Sequence, residues 1–277
     1  MSARVSAITA FGLTTSDSER IGRFYEGLGF TVGPTQRIPE EEITLLGLRG
    51  GGTRIPLRLG EQCLTLDRFD QAGREYPTEA TCADLCFQHF ALVTTDAAAS
   101  WKLALKLGAT PISTGPVTLP ASAGSVTACK FRDPDGHPLE FLQFPPGHAS
   151  QWQGAGLLGV DHSAISVSDA AASRDFYAVL GLSLQGPTLN RGDTQEALDG
   201  LPQVVVDVLP MMPFQARPHL ELLAYRTPIG RAAGAIETND ISATRTVWAA
   251  DRDALIRDPD GHLHVLTSGG MIANDRH

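Results

Sequence analysis

Small and apolar residues alternate in three short stretches, AFGLTTSD (10–17), HFALVTTD (89–96) and HSAISVSD (162–169). A period of two predicts half-buried β-strands. Each stretch ends in an aspartate preceded by serine or threonine, the residue types that cap a helix N-terminus. After the first, Ile21, Phe24, Tyr25 and Leu28 recur at the spacing of one helical face. Gly29, Gly108 and Gly181 then stop the three predicted helices in the left-handed conformation that glycine adopts without strain. In FRDPDGHPLEFLQF (131–144) the DPDG tetrad is a turn, with proline second and glycine last, and a strand follows it. That strand sends Leu139 and Phe141 one way and Glu140, Leu142 and Phe144 the other. Both faces are mostly apolar, so Glu140 requires a cation, a hydrogen-bond donor or a shifted pKa. Arg132 is one candidate partner and a metal ion is another.

The pattern is duplicated. IRDPDGHLHVLTS (256–268) repeats FRDPDGHPLEFLQ at an offset of 125 residues, and RFYEGLGF (23–30) repeats as DFYAVLGL (175–182) at an offset of 152. Fixed self-similarity dictates architecture. The units read β-α-β-β-β and span about 6–70, 86–144 and 159–225, with a shorter fourth at 241–268 whose opening ATRTVWAAD runs almost directly into ALIRDPDGH. The linker PPGHASQWQGAG (145–156) divides two expected halves, 1–147 with the first two modules and 158–277 with the last two. The predicted fold class is α+β: repeated βαβββ modules forming curved mixed sheets with clefts, and helices on the outer face.

Composition narrows the function classes. With 277 residues, 42% hydrophobic and 19% charged, the chain reads as a folded globular protein. A formal charge of -9 without any basic run argues against nucleic acid as a partner. No stretch approaches a membrane span, and the first residues lack a signal-peptide core, so a cytoplasmic location is expected and no membrane partner. Cys63, Cys82, Cys86 and Cys129 form neither a redox pair nor a zinc framework and are expected as reduced thiols.

The F-Y-x-x-L-G helices and DPDGHxxEF strands resemble the vicinal oxygen chelate superfamily, which includes glyoxalase I, bleomycin resistance proteins and extradiol dioxygenases. The resemblance implies metal ligands on the first and last strands of each module, facing a cleft. Those positions are Ala10 and Thr65 in module one, His89 and Glu140 in module two, His162 and Glu221 in module three, and Thr244 and His264 in module four. If modules two and three face one another, the implied set is His89, Glu140, His162 and Glu221, as in glyoxalase I. If modules three and four do, it is His162, Glu221 and His264, a facial triad. The first set is preferred because it uses four of the five candidates.

The implied cofactor is a divalent metal (Fe, Mn, Ni, Zn or Co), and the implied substrate is a small molecule with adjacent oxygens. Glu140 or Glu221 would be the catalytic base of a glyoxalase-I-like lyase or isomerase. Alternatives are an Fe(II) extradiol dioxygenase and a metal-free binding protein of the bleomycin resistance type. Asn190, Gln195, His219, Arg245 and Trp248 are the candidate substrate contacts, and His137 and His262 the turn residues. The chain is expected to be a monomer or homodimer.

Overall fold

In the computed structural model, which describes residues 3–147, 152–215, 217–232 and 234–269, the alternating stretches are strands, Val5–Thr14, Gln88–Thr94 and Leu157–Ser166. Residues 148–151 of the expected linker lie outside the described residues. Helices Ser18–Leu28, Ala97–Lys106 and Ala170–Leu180 follow the strands, and the carboxylates of Asp17, Asp96 and Asp169 accept backbone N–H bonds from their first turns. Gly29 and Gly181 end two of these helices at φ 111° and 104°, in the left-handed region. Module four passes from Arg245–Ala250 to Ala254–Arg257 without a helix, as its shortened sequence predicts. Two short helices escape the periodicity, Glu40–Leu45 and Asp193–Asp199. At six and seven residues they are too short to register as an amphipathic repeat.

The modules assemble into two mixed sheets of eight and ten strands, each drawing on both sides of the linker. In the larger sheet the first strands of modules two and three pair antiparallel at the centre, and each pairs parallel with the last strand of its own module, Pro138–Gln143 or His219–Thr227. In the smaller sheet Val5–Thr14 of module one pairs in the same way with Arg245–Ala250 of module four. Phe90, Leu92, Phe141, Ile165 and Leu222 on the larger sheet, and Phe11, Leu13, Leu64 and Leu66 on the smaller, share one apolar core with the helices. Phe11 and Phe90 stack across it, with ring centroids 5.8 Å apart. The opposite faces of the sheets are the clefts.

The two repeated motifs touch one another across modules. Tyr25 of the first F-Y-x-x-L-G helix donates to Asp133 of the module-two DPDG turn (3.3 Å), and Tyr177 donates to Asp258 of the module-four turn (3.0 Å). A second pseudosymmetric contact ties the connectors 70–86 and 227–243. Arg74 binds Asp240 through its backbone N–H and guanidinium, and Arg231 binds Asp84 in the same way. A Cβ added to Gly73 or Gly230 would overlap the backbone of Asn239 or Ala83, so each connector needs glycine where it crosses the other. All four cysteines are unpaired, three of them buried.

Candidate metal centre

Strand register places the candidate chemistry in two rows across the larger cleft. Glu140, Ala91, His162 and His219 lie side by side in one row, and His89, Ala164 and Glu221 lie side by side in the next. The two alanines are fully buried, and their small side chains leave space between the flanking imidazoles and carboxylates. Nε2 of His89 is 2.9 Å from Glu140 Oε2. His162 Nε2 lies 3.7 Å from Glu140 Oε2 and 3.6 Å from Glu221 Oε2. His89, Glu140 and His162 each present a ligand atom within 4.8 Å of the others. The structure thus brings together the four residues of the preferred set.

The proton inventory shows what this arrangement lacks. His162 Nδ1 is 3.1 Å from Asp161 Oδ2, an acceptor, so Nδ1 carries the hydrogen in the neutral ring. Nε2 is then a bare lone pair, and it is buried without a hydrogen-bond partner between two carboxylates. His219 repeats the pattern: Nδ1 donates to the Asp161 backbone carbonyl (3.1 Å), and Nε2 faces Glu221 Oε1 at 3.3 Å, acceptor against acceptor. Acceptors converging in a dry site require a proton or a cation between them. Donors about 2.1 Å from a shared ion stand roughly 3.0–3.4 Å apart, close to the separations here. Nitrogen and oxygen donors suit a divalent transition metal, so these residues fit the ion that the sequence resemblance implies.

Charge in the site follows from its neighbours. Burial alone would raise the Glu140 pKa, but Lys130 and then the neighbouring His162 and His89 imidazoles outweigh it and hold the carboxyl well below the usual range. Glu221 is also opposed by burial but is drawn down to about 2, first by His162 and then by His219. Burial disfavours charge on His162, yet Glu221 and Glu140 prevail and raise its pKa. Burial lowers His89 and His219 and keeps both neutral.

Lys130 is the cation nearest in register to Glu140, directly across the hairpin, and its Nζ binds Asp199 Oδ1 at 2.6 Å. Asp199 in turn accepts from Tyr225 and Gln195 (both 2.9 Å), which fixes helix Asp193–Asp199 over the cleft. Arg132 does not pair with Glu140; it donates to the carbonyls of Ala80 and Gly136. Counting outward from the DPDG turn would have found Lys130 in the sequence. Asp199 stands with Asn190 and Gln195 in NRGDTQEALDG (190–200), where the sequence offers it as a substrate contact and not as the partner of Lys130.

Several predicted contacts lie elsewhere. Gln195 reaches the cleft only through Asp199. Asn190 is on the edge strand Thr188–Arg191, paired to Val206. Trp248 is in the core, and Arg245 is buried in the other cleft. His264 does not join His162 and Glu221, so the facial triad built on it is not formed. Glu140 and Val265 stand at the same distance from the first aspartate of their DPDG turns, and His264 is one residue earlier. A one-residue offset in a strand reverses the face. The counterparts of His89 and Glu140 in module four are accordingly Arg245 and Val265, not Thr244 and His264.

His264 instead completes a buried chain of donors: Trp248 Nε1–H to His264 Nδ1 (3.0 Å), His264 Nε2–H to Tyr177 Oη (2.8 Å), and Tyr177 O–H to Asp258. A second ring proton would face the indole N–H, and burial drives the pKa down from 6.5 to about 4. The folded state therefore binds fewer protons than the unfolded state between these values. The associated stability is complete above about 6.5 and lost as pH falls toward 4, worth about 3 kcal/mol. Urea unfolding of wild type and His264→Leu across this range should show wild type losing the additional stability; parallel pH profiles would refute the neutral ring.

In the smaller cleft the ligand-equivalent positions are Ala10, Thr65, Arg245 and Val265. Asp67 binds Arg54 through two bonds (2.7 and 2.9 Å) and Arg245 at 3.2 Å, and Arg54 also binds Glu42 of helix Glu40–Leu45 at 2.7 Å. Two cations and two anions fill this cleft where the other presents imidazoles.

Residues 7–141 match the model of the glyoxalase/bleomycin resistance protein/dioxygenase superfamily. No curated protein sequence matches the chain. Among solved structures, glyoxalase I from Zea mays is similar over 94% of this chain and 92% of its own, with 17% identity and a TM-score of 0.57. A candidate dioxygenase from Bacillus subtilis is similar over 97% and 87%, with 14% identity and a TM-score of 0.60. At these identities the likeness concerns the fold. The α+β architecture of βαβββ modules in curved mixed sheets is shared, and among the described residues no helix is long and apolar enough to cross a membrane.

Proposed function

We propose that the chain, whose residues 7–141 match the model of the glyoxalase/bleomycin resistance protein/dioxygenase superfamily, holds one divalent metal ion between His89, Glu140, His162 and Glu221. With it, the protein acts as a lyase or isomerase on a small molecule bearing adjacent oxygens. The observation that carries this reading is the unpartnered Nε2 of His162, buried between the carboxylates of Glu140 and Glu221. A bound divalent ion would supply Lewis acidity, polarising the substrate oxygens and acidifying a neighbouring C–H.

The chain's own residues divide the remaining work. Glu140 is enclosed by His89, His162 and Lys130 and stays ionised and fixed. Glu221 is more open, with 18% of its side chain exposed against 7% for Glu140, and has no lysine partner. It is the carboxylate placed to take a proton from a substrate entering from solvent. Asp199 and Lys130 hold the short helix Asp193–Asp199 over the cleft, which limits water near the reacting atoms.

Metal analysis of protein purified without chelator tests the proposal, with one ion per chain expected and no second ion in the arginine-filled cleft. Proton exchange next to a carbonyl in 2-oxoaldehyde adducts is the expected activity. Oxygen uptake with catechols would instead favour ring cleavage, with His89, His162 and Glu140 as the two-histidine, one-carboxylate set. Tight binding of a small molecule to metal-free protein, with no turnover, would favour a binding protein. Chains that take up no ion would overturn the metal reading.

A further inference from the structure

The strand that carries His162 is not regular. Its register against Gln88–Thr94 shifts between Val160 and His162, which places Asp161 in a bulge. In an unbroken strand Asp161 would point to the opposite face from His162, here the apolar core that receives Val160 and Ile165. The bulge turns both side chains to the same side. Asp161 is 5% exposed. One carboxylate oxygen meets His162 Nδ1, the other is bound by the guanidinium of Arg217, and its backbone carbonyl accepts from His219 Nδ1. Module one has the matching bulge between Ile8 and Ala10, but Thr9 occupies it and Ala10 follows. The bulge therefore belongs to the fold, and the aspartate is specific to the cleft with histidines.

We infer that Asp161 is the positioning residue of this site: its carboxylate and its own carbonyl hold His162 and His219 in the Nδ1–H tautomer, so that Nε2 of His162 faces Glu140 and Glu221 and Nε2 of His219 faces Glu221. This rests on the reading of the cluster as a metal centre and adds His219 to it as a further nitrogen donor. Arg217 pairs with the Asp161 carboxylate oxygen that is turned away from His162. It enters from the segment before His219, so a single aspartate joins two strands of module three.

Asp161→Asn tests the assignment. With Arg217 unchanged, the amide oxygen turns to the guanidinium and the NH2 turns to His162, which must then accept at Nδ1 and carry its proton on Nε2. Co(II) affinity, measured by chelator competition, should fall by about 10–100-fold. Long-range proton–nitrogen spectra of the metal-free protein, recorded at alkaline pH where the ring is neutral, should show His162 changing from the Nδ1–H to the Nε2–H form. Cobalt affinity within twofold of wild type, with unchanged tautomers, would overturn the inference and leave the metal reading intact.

If wild type binds no cobalt, the metal reading fails and the tautomers decide the positioning role alone. Nδ1–H on both rings, lost from His162 in the variant, supports it, and Nε2–H in wild type refutes it. Should Asp161→Asn fail to fold, Arg217→Gln carries the test at a partly exposed position. Mixed His162 tautomers with a smaller loss of affinity support the role, and no change in either overturns it.

Discussion

Glu140→Ala is expected to lower divalent-metal affinity by about 10²–10³-fold while the chain remains folded. Apparent binding free energies of roughly 10–16 kcal/mol for four-ligand sites amount to roughly 3 kcal/mol per ligand, and each 1.4 kcal/mol is tenfold. The loss should exceed that in Asp161→Asn because a donor is removed rather than misaligned. Folding should survive because Lys130 keeps Asp199 as its partner when Glu140 is absent, so no lone buried cation is left behind. Cobalt titration with a thermal melt of the metal-free protein reads both parts. Unchanged affinity in a folded variant would remove Glu140 from the site and leave its ionisation to Lys130 and His89.

Much of this site was legible in the sequence, for a specific reason. Period-two alternation fixes which side chains of HFALV and HSAISV share a face, and duplication marks corresponding positions, so His89, Glu140, His162 and Glu221 could be aligned without coordinates. The cleft positions Ala91 and Ala164 and the core positions Phe90, Leu92 and Ile165 fall where that alternation puts them. The same logic failed at His264 through a one-residue misalignment, since LHV in module four stands where PLE stands in module two. Counting from the first aspartate of each DPDG turn, seven residues to Glu140 and six to His264, exposes the slip, and ladder register agrees.

Contacts between modules were invisible for a different reason. The tyrosines of the F-Y-x-x-L-G helices and the aspartates of the DPDG turns were both apparent as repeats, but their pairing joins residues more than 80 apart in the chain. Asp161 was hidden because a bulge breaks the periodicity that makes the rest of its strand readable. The charge network of the smaller cleft was hidden because Glu42, Arg54, Asp67 and Arg245 come from four separate segments with no shared spacing.

That network gives the largest expected effect on stability. Asp67 is fully buried and is the carboxylate that both guanidiniums share. Burial alone would raise its pKa, but Arg54 and then Arg245 outweigh it and hold Asp67 ionised, whereas burial prevails at Glu42 and raises its pKa in spite of Arg54. Asp67 is therefore the anchor. Asp67→Ala leaves Arg54 with Glu42 only and Arg245 with neutral acceptors at Thr14, Thr238 and Ala243.

Breaking a buried ion pair from one side costs roughly 3–5 kcal/mol, and two cations lose a partner here. A loss of at least ~4 kcal/mol is a large part of the roughly 5–15 kcal/mol that stabilises a typical domain. The melting temperature should fall by roughly 10 °C or more. Cobalt affinity should remain within about twofold of wild type, since distant sites without shared partners act independently and the imidazole cluster lies in the other sheet. A small thermal shift would mean that water or Glu42 compensates the guanidiniums. A large loss of cobalt affinity would mean that the two clefts are coupled through the core they share, with Phe11 against Phe90 as the direct contact between their central strands.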